Sequence, residues 1–343
     1  MSNGKKRLQE FEALRALSII LLLALHSDVF SLQFFGIPLD PISHFVGAFL
    51  LGSFFFLAGY FHEASLQKPG QTPRSIITSK FLRIFPPYWM ALVLFIFVMG
   101  YSLKKFDLWT YLLNLQFIFS PTFVKQMLTL WYISVVMGYY IIFGILIHYI
   151  KSGGALFLWS AVLFAGAYIL HTLTGLLDGR FFEYYFIFLA GVYFSRYPDV
   201  REKLIRVIFP YKIAAALLGV FLFRLALVRG YEITHGVYLL TVDVYILSWV
   251  WMWLGIFKTS IGEWRIWSPV STASFFAYLY HRPIWYALIP LLAGRLGMSS
   301  IIFQFIPGSV IVLILCYFLQ NGYDTALRNM RKVSFLNPFV SGL

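Results

Sequence analysis

The chain has 343 residues, of which 60% are hydrophobic and only 12% are Asp, Glu, Lys or Arg. A soluble protein carries about a quarter charged residues, so this composition excludes an ordinary soluble domain. A net charge of +13 would suggest nucleic acid as the partner of a soluble protein, but here apolar runs of transmembrane length recur along the whole chain. The sequence therefore predicts an all-α, polytopic membrane helix bundle with no nucleic-acid partner.

About ten segments are predicted to cross the bilayer, which takes about 20 apolar residues in a helix. They are 14–35, 42–62, 84–102, 126–149, 155–173, 181–196, 210–228, 236–257, 270–293 and 299–320. The stretch 107–119 is apolar but short, which favours a re-entrant or interfacial piece. We expect a single domain over residues 1–343, with short tails at 1–12 and 322–343 and no fused extracytoplasmic domain. The first apolar run lacks a small-residue cleavage site, so it is interpreted as a retained helix.

Basic residues are distributed unequally between the two sides that this topology defines. Of the 27 Lys and Arg residues, 18 fall on the side of the N-terminus and 6 on the other, while three arginines lie inside predicted helices. Cytoplasmic loops carry an excess of Lys and Arg, so both termini are predicted to be cytoplasmic. No histidine pairing with metal-ligand spacing occurs, and the one cysteine, Cys316, forms no intramolecular disulfide, so we expect no metal site.

Arg15 and His26 are the most informative residues of the first segment, because ionisable groups are costly in the hydrocarbon core. Eleven positions at about 100° each make three turns plus roughly 20°, which places both residues on one helical face. The rise between them is about 16 Å. A helix that starts at the cytosolic surface would place Arg15 near that surface and His26 near the midplane.

Two further groups accompany this pair. Lys80 and Arg83 precede the adjacent prolines Pro86 and Pro87 and occupy neighbouring positions of one helical turn. Arg and Lys hold phosphates well, although positive-inside anchoring is the favoured explanation for Lys80 taken alone. The later segment carries Ser274, Tyr278 and His281 at i, i+4 and i+7, on one face. His281 is predicted at a depth like that of His26, which indicates a reaction centre or, alternatively, a buried histidine satisfied by a neighbour.

Two charged residues have a plain structural explanation. Arg224 and Asp243 lie in consecutive predicted spans, both in the outer half. A buried ion pair between them is the simplest expectation.

These patterns resemble acyltransferase family 3, whose members are integral membrane acyltransferases with an Arg-x10-His motif in the first helix. The family's helix begins with an acidic residue and Gly-Leu-Arg, and the chain has Glu12-Ala-Leu-Arg15. Four further elements occur in the family's order. Phe54–Tyr60 is similar to Phe-Phe-x-x-Ser-Gly, with Ala58 replacing the serine, and Lys80–Tyr88 is similar to Arg-x-x-Arg-x-x-Pro, with Lys80 in the first arginine position. Leu130–Ser134 is similar to Leu-Trp-Phe-Leu-Ser, and Tyr278–Pro283 is similar to Tyr-Leu-x-His. In the family a glutamate often follows the Leu-Trp-Phe-Leu-Ser motif. Val136 stands at that position in this chain, which leaves the acceptor class open.

The resemblance implies a membrane-bound O-acyltransferase, commonly bacterial and in the cytoplasmic membrane, with acetyl-CoA or another acyl-CoA as co-substrate. The expected acceptor is a hydroxyl of a glycan, a glycolipid or a small molecule. The cations Arg15, Lys80 and Arg83 would hold the CoA phosphates, and His26 would act as base. His281, Tyr278 and Ser274 would polarise the thioester or orient the acceptor. Direct transfer and a covalent acyl-histidine both fit.

A secondary transporter or a lipid or glycan flippase is the alternative, because midplane charges and a helix kinked at Pro283 suit transport as well. Transporters of this kind are built from repeats with interrupted helices in matching positions. The sequence shows neither, which favours the enzyme.

Overall fold

The computed structural model describes residues 8–119 and 121–332, and the backbone is almost entirely helical. The helices are α1 (Gln9–His26), α2 (Asp40–Leu66), α3 (Pro73–Phe97), α4 (Lys105–Leu112), α5 (Gln116–Phe119), α6 (Trp131–Tyr149), α7 (Gly153–Thr174), α8 (Gly179–Glu183), α9 (Tyr185–Arg196), α10 (Pro198–Arg206), α11 (Phe209–Val228), α12 (Gly236–Phe257), α13 (Trp267–Leu288), α14 (Ser300–Phe303) and α15 (Ser309–Lys332). A two-stranded antiparallel hairpin pairs β1 (Gln33–Phe34) with β2 (Ile37–Pro38). Short 3-10 turns lie at Val29–Ser31 and Ser260–Glu263, and π-helical turns at Ile289–Ala293 and Gln304–Gly308.

Within the described ranges, seven helices are long and apolar enough to cross a membrane. These are α2, α3, α6, α7, α11, α12 and the final run Ser300–Met330. The chain is therefore an integral membrane helix bundle, as its composition predicts. The other three predicted spans fall on α1, which carries three charges, on the 12-residue α9 and on α13, which is rich in polar residues. The count of ten and the cytoplasmic termini stay predictions.

Several predicted boundaries are wrong, among them the start of α3, which begins at Pro73 rather than at 84. The first segment was expected to run to residue 35, but α1 ends at His26, where the Ser27 amide closes the last turn and Asp28 adopts a left-handed φ of 61°. Asp tolerates this conformation better than most residues, so the chain can leave the helix there. At the other end, α15 continues past the predicted limit at 320 to Lys332.

A further wrong boundary lies before α6, which begins at Trp131 rather than at 126. Residues 121–130 are not helical, yet Val124, Met127 and Leu130 are buried. Irregular backbone at membrane depth persists only where protein groups satisfy its polar atoms or it lines a cavity. Side chains do so here, in the pairs Tyr111 with Lys125 and Met127, Gln116 with Leu130, and Tyr278 with Thr129. The short helices α4 and α5, which fall on the predicted non-spanning stretch 107–119, bring Tyr111 and Gln116 to this segment.

Tyr111 illustrates how that segment is held. Its hydroxyl donates to the Lys125 carbonyl and accepts from the Met127 amide. Burial raises the pKa of Tyr111, so the phenol keeps the hydrogen that it donates.

Helices α2 and α9 approach each other at two glycines. A Cβ on Gly59 would lie 2.1 Å from the Phe188 carbonyl oxygen, and a Cβ on Gly191 would lie 2.0 Å from that of Phe56. Both distances are far below van der Waals contact, so only glycine fits. Small residues of this kind let membrane helices pack backbone to backbone.

Helices α1 and α13 form the centre of the bundle. Helix α1 packs against α2, α12 and α13, and α13 also packs against α15. Arg15 and Ser274 line one cavity while His26 and His281 are in contact, so α1 and α13 run in the same direction. We call the end of the bundle at which α1 begins the basic end, and the end at which α1 stops the opposite end.

Candidate active site

A cavity of about 700 Å³ lies at the basic end. It is lined by the first halves of α1, α3, α6 and α13, by the second half of α2 and by α15. All three cations predicted to bind phosphate, Arg15, Lys80 and Arg83, are on its wall. The structure thus joins residues that lie 68 positions apart in the sequence.

The three cations differ in their surroundings. The Arg15 guanidinium lies 5.2 Å from the Phe61 ring centroid, and Lys80 Nζ lies 4.4 Å from that of Tyr140. An aromatic face attracts a cation electrostatically, and the N–H groups of the cation are not used up in an ion pair. Arg83 is 59% exposed and pairs with Asp324 at 3.8 Å. Among the described residues, no carboxylate pairs with Arg15 or Lys80 within 4.0 Å. A ligand in the cavity therefore does not have to displace a carboxylate from either cation.

A smaller cavity of about 170 Å³ shares Arg15 and Lys80 with the first and extends to Phe54 and Tyr278. Ser274 lines both cavities. The two spaces therefore form one path from the cations towards the middle of α13. Its walls become aromatic and apolar as it narrows, which suits a slender, uncharged arm better than a polyanion.

The hydroxyl hydrogens of Ser274 and Tyr278 are already engaged. Ser274 Oγ donates to the Ser271 carbonyl at 2.7 Å, and the Tyr278 hydroxyl donates to the Thr129 carbonyl. In this arrangement both hydroxyls offer acceptor lone pairs to the cavity rather than hydrogens. The expected polarisation of a carbonyl by either residue would require that bond to be exchanged.

His26 and His281 are in direct hydrogen-bond contact. His26 Nδ1 lies 2.8 Å from His281 Nε2, and the two rings are stacked with centroids 4.9 Å apart. His281 is fully buried, and its Nδ1 lies 2.9 Å from the Ala277 carbonyl and 3.1 Å from that of Tyr278. His26 is half-buried. Two residues separated by 255 positions thus form a pair, which we call the histidine dyad.

The backbone carbonyls determine where the dyad's hydrogens lie. A carbonyl only accepts, so His281 Nδ1 carries a hydrogen and, in the neutral ring, its Nε2 carries the lone pair. That lone pair accepts from His26 Nδ1–H. A neutral His26 then has its own lone pair on Nε2. The arrangement orients His26 as a proton acceptor or nucleophile, in the way that a second group orients a catalytic histidine.

Tyr278 connects the dyad to the cavity. Its side chain lines the smaller cavity, and its carbonyl is one of the two that face His281 Nδ1. Neither histidine is among the residues that line the two basic-end cavities. His26 lies in the last turn of α1, where the negative end of the helix dipole stabilises an imidazolium formed by proton uptake.

Sequence reasoning missed two tyrosines and misjudged one ion pair. Tyr132 and Tyr140 of α6 line both basic-end cavities. The Leu-Trp-Tyr motif around Tyr132 was a usable signal. The expected pair of Arg224 and Asp243 is wrong: Arg224 is exposed, and Asp243 Oδ1 is buried without a hydrogen-bond partner in the described ranges.

The fold and the site define an integral membrane protein with a polar cavity that opens at one end and a histidine dyad beyond its inner limit. A family model described as an acyltransferase domain matches residues 8–320, nearly the whole chain. The chain therefore belongs to acyltransferase family 3 and is a membrane acyltransferase. No curated protein and no solved structure matches it significantly.

Proposed function

We propose that this acyltransferase moves an acyl group, acetyl in the first instance, from cytosolic acyl-CoA to a hydroxyl of a glycan or similar acceptor, with His26 as base. The observation that carries the proposal is the hydrogen bond between His26 Nδ1 and His281 Nε2. It leaves one imidazole lone pair, on His26 Nε2, free for proton transfer.

The basic-end cavity supports acyl-CoA as the donor. CoA is polyanionic, and the cavity carries three cations, two of which are held by aromatic faces rather than by carboxylates. Arg15 and Lys80 would bind the phosphates with charge-assisted hydrogen bonds, and Arg83 would contribute from the rim. The narrower cavity beyond them would take the uncharged pantetheine arm towards Tyr278.

His26 would promote attack in the usual way for a poor nucleophile. A hydroxyl is barely nucleophilic at neutral pH, so Nε2 of His26 would take its proton as the oxygen bonds to the thioester carbonyl carbon. The C–S bond then breaks, and the imidazolium returns the proton to the departing sulfur. His281, whose carbonyl partners keep its Nδ1 hydrogen in place, would act as a positioning residue for His26.

The charge bias of the loops supports the sidedness of this reaction. The 18 basic residues on the N-terminal side would be cytosolic, so the basic end would meet cytosolic acyl-CoA. Acceptors would reach the dyad from the other face of a bacterial cytoplasmic membrane. Only the acyl group would cross.

Turnover of radiolabelled acetyl-CoA by purified protein in nanodiscs tests this function. We expect acetyl transfer to envelope glycan fractions by the wild type and its loss in His26→Ala. The matched control is His148→Ala, since His148 lies at the far end of α6 and lines neither cavity. Turnover that survives His26→Ala would exclude His26 as base. Substrate flux in vesicles without acetyl-CoA consumption would indicate a transporter instead.

Rapid denaturation of the same reaction at neutral pH separates the two routes, because an acyl-imidazole hydrolyses in acid. Label that stays on the protein through His26 would indicate a covalent acyl-histidine. Label that passes directly to the acceptor would indicate single-step transfer.

A further inference from the structure

A separate cavity of about 290 Å³ lies at the opposite end of the bundle. The first turns of α2 and α6 form it together with α8, α11 and α12. Small-molecule sites span roughly 300–1,000 Å³, so its size suits one small ring. The residues that carry the argument are Trp131, Tyr184, Arg180, Glu183 and Tyr238.

The chemistry of this wall is aromatic and acidic. The rings of Trp131 and Tyr184 are stacked, with centroids 6.3 Å apart and an interplanar angle of 25°. Glu183 is 5% exposed and accepts a hydrogen bond from the Tyr238 hydroxyl at 3.0 Å. A buried carboxylate beside aromatic rings offers strong acceptors next to an apolar face.

Arg180, which lies on this wall, already has a carboxylate partner. The Arg180 guanidinium stacks 4.1 Å from the Trp131 ring centroid and pairs with Asp178 at 2.5 Å. An anionic ligand would gain little from Arg180, and Glu183 offers it no positive charge. The cavity is therefore suited to a neutral ligand that carries hydroxyl groups.

The cavity lies close to the dyad and to the basic-end path. A Cβ on Gly47, which lines it, would lie 3.5 Å from the side chain of Leu25, the neighbour of His26. Trp131 is on its wall, and the next residue, Tyr132, is on the wall of the basic-end cavities. Neighbouring residues of α6 thus line cavities at the two ends of the bundle.

We infer that this opposite-end cavity binds a sugar ring of the acceptor. A neutral sugar is amphipathic: its C–H groups pack against apolar side chains, here Trp131 and Leu51, and its hydroxyls donate to a carboxylate, here Glu183. The inference rests on the proposed function, because an acceptor bound here would approach the His26 region from the side opposite to acyl-CoA. It adds a binding site and a ligand class to that function.

Binding of methyl glycosides to the purified protein in nanodiscs, without acyl-CoA, tests the site. The probes are the methyl glycosides of glucose, galactose and N-acetylglucosamine, and saturation-transfer NMR measures the affinity. We expect at least one probe to bind the wild type. We expect Glu183→Gln and Trp131→Ala each to weaken binding roughly tenfold or more, since a hydrogen bond to a carboxylate and the apolar contact of an aromatic side chain each contribute at this level.

Milder substitutions and a control keep the test decisive. Trp131→Phe retains a ring and should retain most of the affinity, whereas Trp109→Ala, at a 63% exposed tryptophan of α4, should change nothing. Gel filtration and thermal unfolding identify any variant that fails to fold. Absence of binding by every probe to the wild type would overturn the inference, as would unchanged affinity in both folded variants, Glu183→Gln and Trp131→Ala.

The failure of this inference is distinguishable from failure of the proposed function. Acetyl-CoA turnover reports the function, and glycoside binding without acyl-CoA reports the cavity. Glycoside binding by a protein that never consumes acetyl-CoA would support the cavity and refute the acyl transfer. Turnover without glycoside binding would do the reverse.

Discussion

The two ends of the bundle carry cavities of different chemistry. The basic-end cavity is large and presents Arg15 and Lys80, which have no carboxylate partner within 4.0 Å in the part of the chain that the structure describes. The opposite-end cavity is smaller and presents Glu183 beside stacked aromatic rings. A polyanion suits the first and a neutral hydroxylated ring suits the second. The histidine dyad, on the two central helices, offers a proton acceptor between them. Under the proposed function, two substrates of unlike charge would bind at separate ends.

The largest expected effect comes from the group between the two cavities. We expect His26→Ala to lower the acyl-transfer rate by roughly 10²- to 10⁴-fold, the range of general acid–base catalysis. Affinities at both ends should stay the same, because His26 lines neither basic-end cavity. Single-turnover kinetics with isotopically labelled acetyl-CoA measure the rate. A loss of only a few-fold would contradict the role of His26.

His281 offers a graded test of how the dyad is oriented. His281→Leu removes the acceptor for His26 Nδ1–H, and we expect the rate constant to fall roughly 100-fold, less than for loss of the base itself. His281→Gln supplies a side-chain oxygen near the same place and should retain about tenfold more activity than the leucine variant. The ratio of the two variants is the readout. Equal rates in both would mean that His281 has only a packing role.

A smaller effect, confined to the basic end, is expected from its cations. Arg15→Gln should raise the KM for acyl-CoA roughly 10- to 100-fold, since hydrogen bonds to charged groups contribute about 1.5–3 kcal/mol. Arg83→Gln is the matched comparison and should raise it only a few-fold, because Arg83 is 59% exposed and paired with Asp324. Initial rates at varied acyl-CoA and fixed acceptor measure both. An unchanged KM in Arg15→Gln would refute the phosphate site.

The smallest effect on the catalytic rate is expected at the contact of α2 and α9, where a substitution should lower the stability of the whole bundle. Gly59→Ala places a methyl group against the Phe188 carbonyl, so stability should fall by about 1–3 kcal/mol and activity should fall only as folded protein is lost. Gly166→Ala in α7, whose Cβ would meet nothing within 4 Å, is the control. Thermal unfolding in detergent measures both. Equal melting temperatures would show that the close approach is relaxed in solution.

The sequence predicted the class of fold and the family correctly because both depend on local patterns. Apolar runs indicate membrane helices, and ordered motifs such as Arg15 and His26 indicate the family. The end of α1 at His26 was missed, because Val29, Phe30 and Leu32 continue the apolar run although the backbone turns away. Hydropathy indicates whether the side chains of a segment suit an apolar environment. It does not show at which residue the helical backbone hydrogen bonds end.

The non-helical segment before α6 was missed for a related reason. Its apolar side chains are those of a buried helix, but its backbone is satisfied by Tyr111, Gln116 and Tyr278 from elsewhere in the chain. The pair of Arg224 and Asp243 failed in the opposite way. Two charges in neighbouring helices suggested a contact, yet the rotation of the helices leaves Arg224 exposed.

The sequence by itself determined that the chain lies in a membrane, that it belongs to acyltransferase family 3, and which cations and histidines deserved testing. Composition and motif order carry that information, since each residue contributes independently of its distant neighbours. Only the tertiary structure decided that His26 meets His281, that three cations share one cavity, and that Glu183 faces a second cavity with Trp131. Those contacts join residues far apart in the chain, and the packing angles and rotations that create them have no local signature.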